Sequence, residues 1–164
     1  MEDNRSSGAG DSRAKPQDRA EEPVESLGDG SSSQVLVVED DPANALLIQT
    51  VLSNGGLTAL ATDNGEEIVR RARSGVVAVV VMDVSLRSTV VEGRKVDGLE
   101  LTRIIRRESP RTVGVLLLTA HAMRGDRERF LEASTADGYM SKPIIDPDEL
   151  VATVKAMIAG CAPT

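Results

Sequence analysis

Apolar and polar positions divide the chain into two unequal parts, with the change near Gln34. Met1 to Ser33 shows neither a strand-like nor a helix-like apolar period, and Ser, Gly, Asp, Glu and Arg predominate. Such a segment buries too little surface to offset the entropy of ordering, so residues 1–33 are expected to be a disordered tail. From Gln34 to Gly160, short apolar runs alternate with helical periods, and residues 161–164 form a C-terminal end.

Within that ordered part, Val35-Leu36-Val37-Val38 predicts a buried strand. Asp41 is placed to cap a helix with Pro42 at its first position. That helix is expected to bury Ala43, Leu46, Leu47, Thr50 and Val51 and to stop at Asn54-Gly55-Gly56. Leu57 to Ala61 predicts a short strand, and Asp63 or Asn64 caps a helix running through Ile68 and Val69 to Ser74, closed by Gly75. Val76 to Met82 is seven apolar residues, five of them valine. It is too short for a membrane span and too β-branched for a helix, so it reads as a strand buried on both faces at the centre of a parallel sheet. Asp83 ends it. Val84 to Val96 is expected to be irregular. Asp97-Gly98 then opens a helix carrying Leu99, Leu101, Ile104 and Ile105, ended by Ser109-Pro110. Val113 to Leu118 is the fourth strand, running into Thr119-Ala120. Arg124 to Ala133 predicts a charged, exposed helix anchored by Phe130 and Leu131. Gly138 to Ser141 is a last strand leading into Lys142-Pro143. A final helix starts at Asp146-Pro147 and carries Leu150, Val151, Val154, Met157 and Ile158. Strands alternating with helices in this way predict an α/β fold, with a parallel sheet covered on both faces by right-handed crossovers.

Composition narrows the function. A net charge of −7 in 164 residues argues against nonspecific nucleic-acid binding, because no cluster of Lys and Arg is available to offset phosphate repulsion. Cys161 is the only cysteine, which excludes an internal disulfide and suits a reducing cytosol. No run reaches the roughly 20 apolar residues of a bilayer span, and the polar first residues do not resemble a secretory signal. A cytoplasmic protein without membrane association is expected. With no Trp, one Phe and one Tyr, the core must be packed from Val, Leu, Ile and Ala.

The polar residues that could carry chemistry occupy equivalent places, each just after a strand. Glu39 and Asp40 follow the first, Asp83 the third, Thr119 the fourth and Lys142 the fifth. In a parallel α/β sheet these ends share one edge, the edge where ligands bind. Singly each has a plainer reading: a solvated loop for the acids, a strand-end hydroxyl for Thr119, a solvated lysine for Lys142, core packing for Tyr139. Asp41 is read as a cap only. Together they bring three carboxylates, a hydroxyl and an ammonium to one place. Crowded carboxylates repel unless protons or a cation neutralise them. An all-oxygen site with few protein ligands suits Mg²⁺.

The pieces Val35-Leu36-Val37-Val38-Glu39-Asp40-Asp41, Val81-Met82-Asp83, Asp97-Gly98-Leu99-Glu100, Leu118-Thr119-Ala120 and Gly138-Tyr139-Met140-Ser141-Lys142-Pro143-Ile144, in this order, resemble the receiver domain of two-component response regulators. The resemblance covers about Gln34 to Gly160, wording nearest to receivers of hybrid-kinase phosphorelays and to stand-alone receivers. It implies a flavodoxin-like, doubly wound sheet of strand order 2-1-3-4-5. It implies that Asp83 is a nucleophile accepting a phosphoryl group from a histidine kinase or histidine phosphotransfer protein. Mg²⁺ would be held by Asp83, Asp40, Glu39 and the main-chain carbonyl of Ser85, while Lys142 and Thr119 bind phosphoryl oxygens. Thr119 and Tyr139 would form a switch, Lys142-Pro143 would be cis, and Ser85 and His121 would tune the lifetime of the acyl phosphate.

The resemblance thus implies a bacterial signalling domain and not an enzyme beyond self-phosphorylation and self-dephosphorylation. Too few residues follow Ile158 for a DNA-binding module, so output is expected through an unknown downstream protein or by onward phosphotransfer. The sequence departs from the family pattern between Asp83 and Asp97. Arg87 stands where a proline is usual, and about Ser88 to Val96 is inserted beside the acceptor. Two other readings stay open: a scaffold that is never phosphorylated, and a metal-dependent phosphohydrolase. The latter would want a second acid two residues after its nucleophile, where this chain has Ser85.

Overall fold

The computed structural model describes residues 34–109, 113–120 and 125–160. The expected tail 1–33, His121 and Cys161 lie outside the described residues. In chain order the elements are β1 (Gln34–Val38), α1 (Pro42–Asn54), β2 (Ala59–Thr62), α2 (Gly65–Ser74), β3 (Val77–Asp83), β4 (Val90–Val91), β5 (Arg94–Lys95), α3 (Gly98–Glu108), β6 (Gly114–Thr119), α4 (Asp126–Ser134), β7 (Gly138–Ser141) and α5 (Pro147–Gly160). Five strands form one parallel sheet in the order β2-β1-β3-β6-β7, and β4 and β5 pair separately. Without that inserted pair, the order is the one the resemblance implies.

Strand alternation explains why both faces are covered. Val35, Val37, Val79, Val81, Leu116 and Leu118 point into one layer, where Ile48 and Leu52 of α1 and Leu150 and Val154 of α5 meet them. Leu36, Val38, Val80, Met82, Val115 and Leu117 point to the other, against Ile68 of α2 and Leu101 and Ile105 of α3. A run such as Val79-Val80-Val81-Met82, fully buried, therefore needs no polar face. Helix starts follow the sequence closely. The side chains of Asp41, Asn64 and Asp97 accept hydrogen bonds from the backbone N–H groups of Asn44, Glu67 and Glu100, at 2.9, 3.0 and 2.8 Å. Gly75, at φ +75°, closes α2 in the left-handed region that glycine adopts without strain. Arg106 ties α3 to the far side of the sheet: its guanidinium donates to the carbonyls of Val113 and Thr135 and pairs with Asp137.

Two expectations are corrected. Helix α1 buries Ala45, Ile48 and Leu52, while Leu46 and Leu47 are 64% and 56% exposed and Ala43 and Thr50 face solvent. The segment is apolar on more than one side, so periodicity alone leaves its rotation open. The layer shared with Val35, Val37 and α5 settles it. The stretch 84–96, expected to be irregular, contains an antiparallel hairpin with Val90 opposite Lys95 and Val91 opposite Arg94. Its turn is Glu92-Gly93, both at positive φ (50° and 76°), the conformation that suits a tight hairpin. Val91 and Val96 are buried in the layer that holds Ile68 and Leu101, so the insertion is packed onto the domain.

Candidate functional site

The site is built by register. Val38 lies beside Met82 in the β1–β3 pair, which puts Glu39 level with Asp83. Asp83 lies beside Leu118, and Thr119 beside Ser141. Glu39 is thus level with Asp83, Thr119 lies one residue beyond Asp83 and Lys142 one beyond Thr119, and all four end on a single edge. Helix α3 closes tightly beneath it. A Cβ on Gly98 would run into the Asp83 carbonyl oxygen, and the Gly98 N–H donates to the Val84 carbonyl at 3.2 Å. This explains why Asp97-Gly98 opens that helix: the aspartate caps it and only glycine fits the approach.

At this edge a cavity of about 400 Å³ is lined by Glu39, Asp40, Asp83, Ser85, Arg87 and Lys142, with Ala120 at its side. Glu39 and Asp83 are each 5% exposed. The Lys142 ammonium lies 2.5 Å from Glu39 Oε2 and 3.1 Å from Asp83 Oδ1. Burial alone would lower the Lys142 pKa, but hydrogen bonds to Glu39 and Asp83 and the charge of both carboxylates outweigh it and hold the pKa above the usual lysine value. Lys142 is thus a fixed cation at neutral pH. Backbone N–H groups also donate to the three acids: Asp41 to Glu39 Oε1 at 3.1 Å, Ser85 at 3.2 Å to Asp83 Oδ1, the oxygen that Lys142 also meets, and Arg87 to Asp40 Oδ2 at 2.8 Å.

Glu39, Asp40 and Asp83 can each offer an oxygen such that all lie within 4.8 Å of one another. Two negative charges that close repel by at least about 3.5 kcal/mol at an effective dielectric near 20. Lys142 contacts two of the three acids, so a second cation would find uncompensated charge at Asp40. The donor set is carboxylate oxygen throughout, which suits a hard divalent ion that keeps several waters.

The other anticipated residues fall as follows. Thr119 is fully buried at the tip of β6, and its carbonyl accepts the Lys142 backbone N–H at 2.7 Å. The Lys142–Pro143 bond is cis. Tyr139 is half-buried in β7 and stacks on Phe130, with ring centroids 6.2 Å apart. Burial, and then the charge of Asp126, push its phenol pKa up. It borders a different cavity, of about 390 Å³, with Arg127, Ile144 and Glu149. Two participants were not anticipated. Asp41, read only as a cap, also supports Glu39 through its N–H. Arg87 donates its amide to Asp40 and lines the acidic cavity. Its place just past the β3 tip, where a proline without an N–H is usual, was the signal for it.

Known proteins resemble this chain over most of its described length. Residues 35–155 match the family model of the response regulator receiver domain. The chain is 37% identical over 133 residues to the sensor histidine kinase GacS of Pseudomonas protegens, spanning 79% of this chain and 14% of that kinase's length. It is 31% identical over 125 residues to the polar-differentiation response regulator DivK of Brucella anthropi, covering 76% of this chain and 94% of DivK. Among solved structures, the receiver domain of sensor histidine kinase PA1611 from Pseudomonas aeruginosa superposes with a TM-score of 0.64 at 32% identity, over 78% of this chain and 98% of that one. Its crystal structure contains a magnesium ion coordinated in the active-site cleft. By its strand order, its edge of converging acids and the match over residues 35–155, the chain belongs to the response regulator receiver domain family, a family of signalling domains.

Proposed function

We propose that this receiver accepts a phosphoryl group on Asp83 from the phosphohistidine of a histidine kinase or histidine phosphotransfer protein. The observation that carries the reading is the Lys142 ammonium lying 3.1 Å from Asp83 inside a three-carboxylate cavity. Asp83 Oδ1 is occupied by Lys142 and the Ser85 N–H, which leaves Oδ2 as the attacking oxygen. A bond forms from Oδ2 to phosphorus as the phosphorus–nitrogen bond breaks, and the imidazole leaves with the electron pair and takes up a proton. The product is an acyl phosphate. Glu39, Asp40, Asp83 and the Ser85 carbonyl would hold Mg²⁺, which when bound would supply neutralising charge for the transferring oxygens. Lys142 contributes a second, fixed charge to the same oxygens, and Thr119 donates its hydroxyl to another.

The β6 tip is linked to Lys142 by the backbone bond between Thr119 and Lys142, and Tyr139 lies three residues before Lys142 on β7. Inward movement of Thr119 would thus be felt by Lys142 and Tyr139, a two-state repacking that a partner can read. Ser85, and His121 beyond the described residues, would set how quickly water removes the phosphoryl group. Residues 34–160 form the receiver unit, and output runs through a protein partner or onward transfer to a histidine. The chain covers 94% of DivK but 14% of GacS, and no helix among the described residues is long and apolar enough to cross a membrane. We place the protein in the cytoplasm, with neither nucleic acid nor lipid as ligand.

The test is incubation with acetyl phosphate and Mg²⁺, with Asp83→Asn alongside. Labelling of the unsubstituted chain and none of the variant is expected. Label persisting in Asp83→Asn would remove Asp83 from its role. No label in either would favour a scaffold, and rapid turnover of varied phosphoesters a hydrolase.

A further inference from the structure

Each carboxylate of the cavity is held differently. Glu39 has Lys142 and the Asp41 N–H, and Asp83 has Lys142 and the Ser85 N–H. Asp40 is the most exposed of the three and receives a single donor among the described residues, the Arg87 N–H at 2.8 Å across 47 positions of sequence. That donor is itself fixed. Arg87 follows buried Leu86 and opens the segment that leads into the β4–β5 hairpin, whose Val91 and Val96 are buried against Ile68 and Leu101. A Cβ on Gly65 would collide with the Val90 carbonyl, the Val96 N–H closes onto the Thr89 carbonyl at 3.0 Å, and the Glu92 N–H donates to Glu66 at 2.7 Å. The hairpin is thus clamped to α2, and the amide at its entrance has a defined direction.

We propose that Arg87 is a positioning residue of the acidic cavity: where a proline is usual in the family, its backbone N–H, braced by the inserted hairpin, adds a donor that holds Asp40 toward the cation site. The inference rests on the reading of this cavity as a Mg²⁺ site. The guanidinium is exposed and is not the group that orients Asp40. The relevant substitution is therefore proline, the one residue that lacks an amide donor. Arg87→Pro and Arg87→Ala both remove the guanidinium, but only the first removes the N–H. The difference between them isolates the hydrogen bond.

Mg²⁺ binding to the full chain and to both variants is measured by titration calorimetry without any phosphodonor. A hydrogen bond to a charged group corresponds to roughly tenfold in affinity. Arg87→Ala is therefore expected to bind Mg²⁺ about tenfold more tightly than Arg87→Pro. Equal affinities in the two variants, with binding intact in the parent, would overturn the inference and leave the metal-site reading standing. No binding by the parent would overturn that reading and the inference together. A second readout does not depend on the proline variant folding. By amide hydrogen exchange, Arg87 should be protected in the parent and lose that protection in Asp40→Ala. Exchange as rapid as that of an unbonded surface amide in the parent would refute the hydrogen bond on which the proposal stands.

Discussion

Removing the Lys142 charge tests how far the cavity depends on it. In Lys142→Met the stem is kept and the ammonium lost, which leaves Glu39 and Asp83, with side chains 2% and 7% exposed, facing each other without their shared cation. Breaking a buried ion pair by deleting one partner costs about 3–5 kcal/mol. Here Lys142 is 18% exposed and water can enter the cavity, so the expected loss lies lower, about 2–3 kcal/mol. For a domain of this size that lowers the Tm by about 10 °C. With no Trp and one Tyr, urea unfolding is best followed by far-ultraviolet circular dichroism, with a chelator present. Glu39→Gln in the Lys142→Met background should recover at least about 1 kcal/mol, because it removes half of the exposed conflict. A Lys142→Met chain within about 0.5 kcal/mol of the parent would refute the reasoning. So would strict additivity of the two substitutions.

Three further predictions follow from the same geometry. Gly98→Ala drives a methyl into the Asp83 carbonyl, so α3 must shift; we expect a loss of about 2–3 kcal/mol in urea unfolding together with slower phosphoryl acceptance, and unchanged stability would contradict the close approach. Thr89 buries a hydroxyl that has no hydrogen-bond partner among the described residues, so Thr89→Val should stabilise the chain by about 1 kcal/mol, read as a rise in Tm. Because the pKa of Lys142 is raised above its ordinary 10.5, the stability it contributes is complete below that pH and is lost as pH climbs through the higher folded value. The gap between the parent and Lys142→Met should therefore stay level from neutral pH to about 10 and narrow beyond it, in urea titrations across that range.

Much of this architecture was legible before any coordinates. The valine-rich runs could be satisfied only by strands covered on both faces, and each ended in a polar residue, so Glu39, Asp83, Thr119 and Lys142 were placed on one edge by topology alone. Helix starts were nearly as readable, since Asp41 and Asp97 each precede an apolar period, while Asp63 and Asn64 competed for the second cap until the Glu67 N–H settled on Asn64. Rotation was harder. Leu46 and Leu47 offered α1 an apolar face as good as Ala45, Ile48 and Leu52, and only the packing of α5 across the same layer decided between them. The hairpin escaped because two-residue strands give too short an alternation, although Val90-Val91-Glu92-Gly93 carried a usable turn signal. The Arg87 amide could not have been found by residue type, since every residue but proline carries that group. Its importance comes from where the packed insertion aims it.

The most direct test of the central claim is to locate the phosphoryl group itself. After reaction with a phosphorylated histidine phosphotransfer protein and Mg²⁺, borohydride reduction converts an aspartyl phosphate to homoserine, which peptide mass spectrometry maps to one residue. The account predicts homoserine at position 83 and nowhere else. Homoserine at position 40, or an unmodified chain beside a donor that still holds its phosphoryl group, would contradict it.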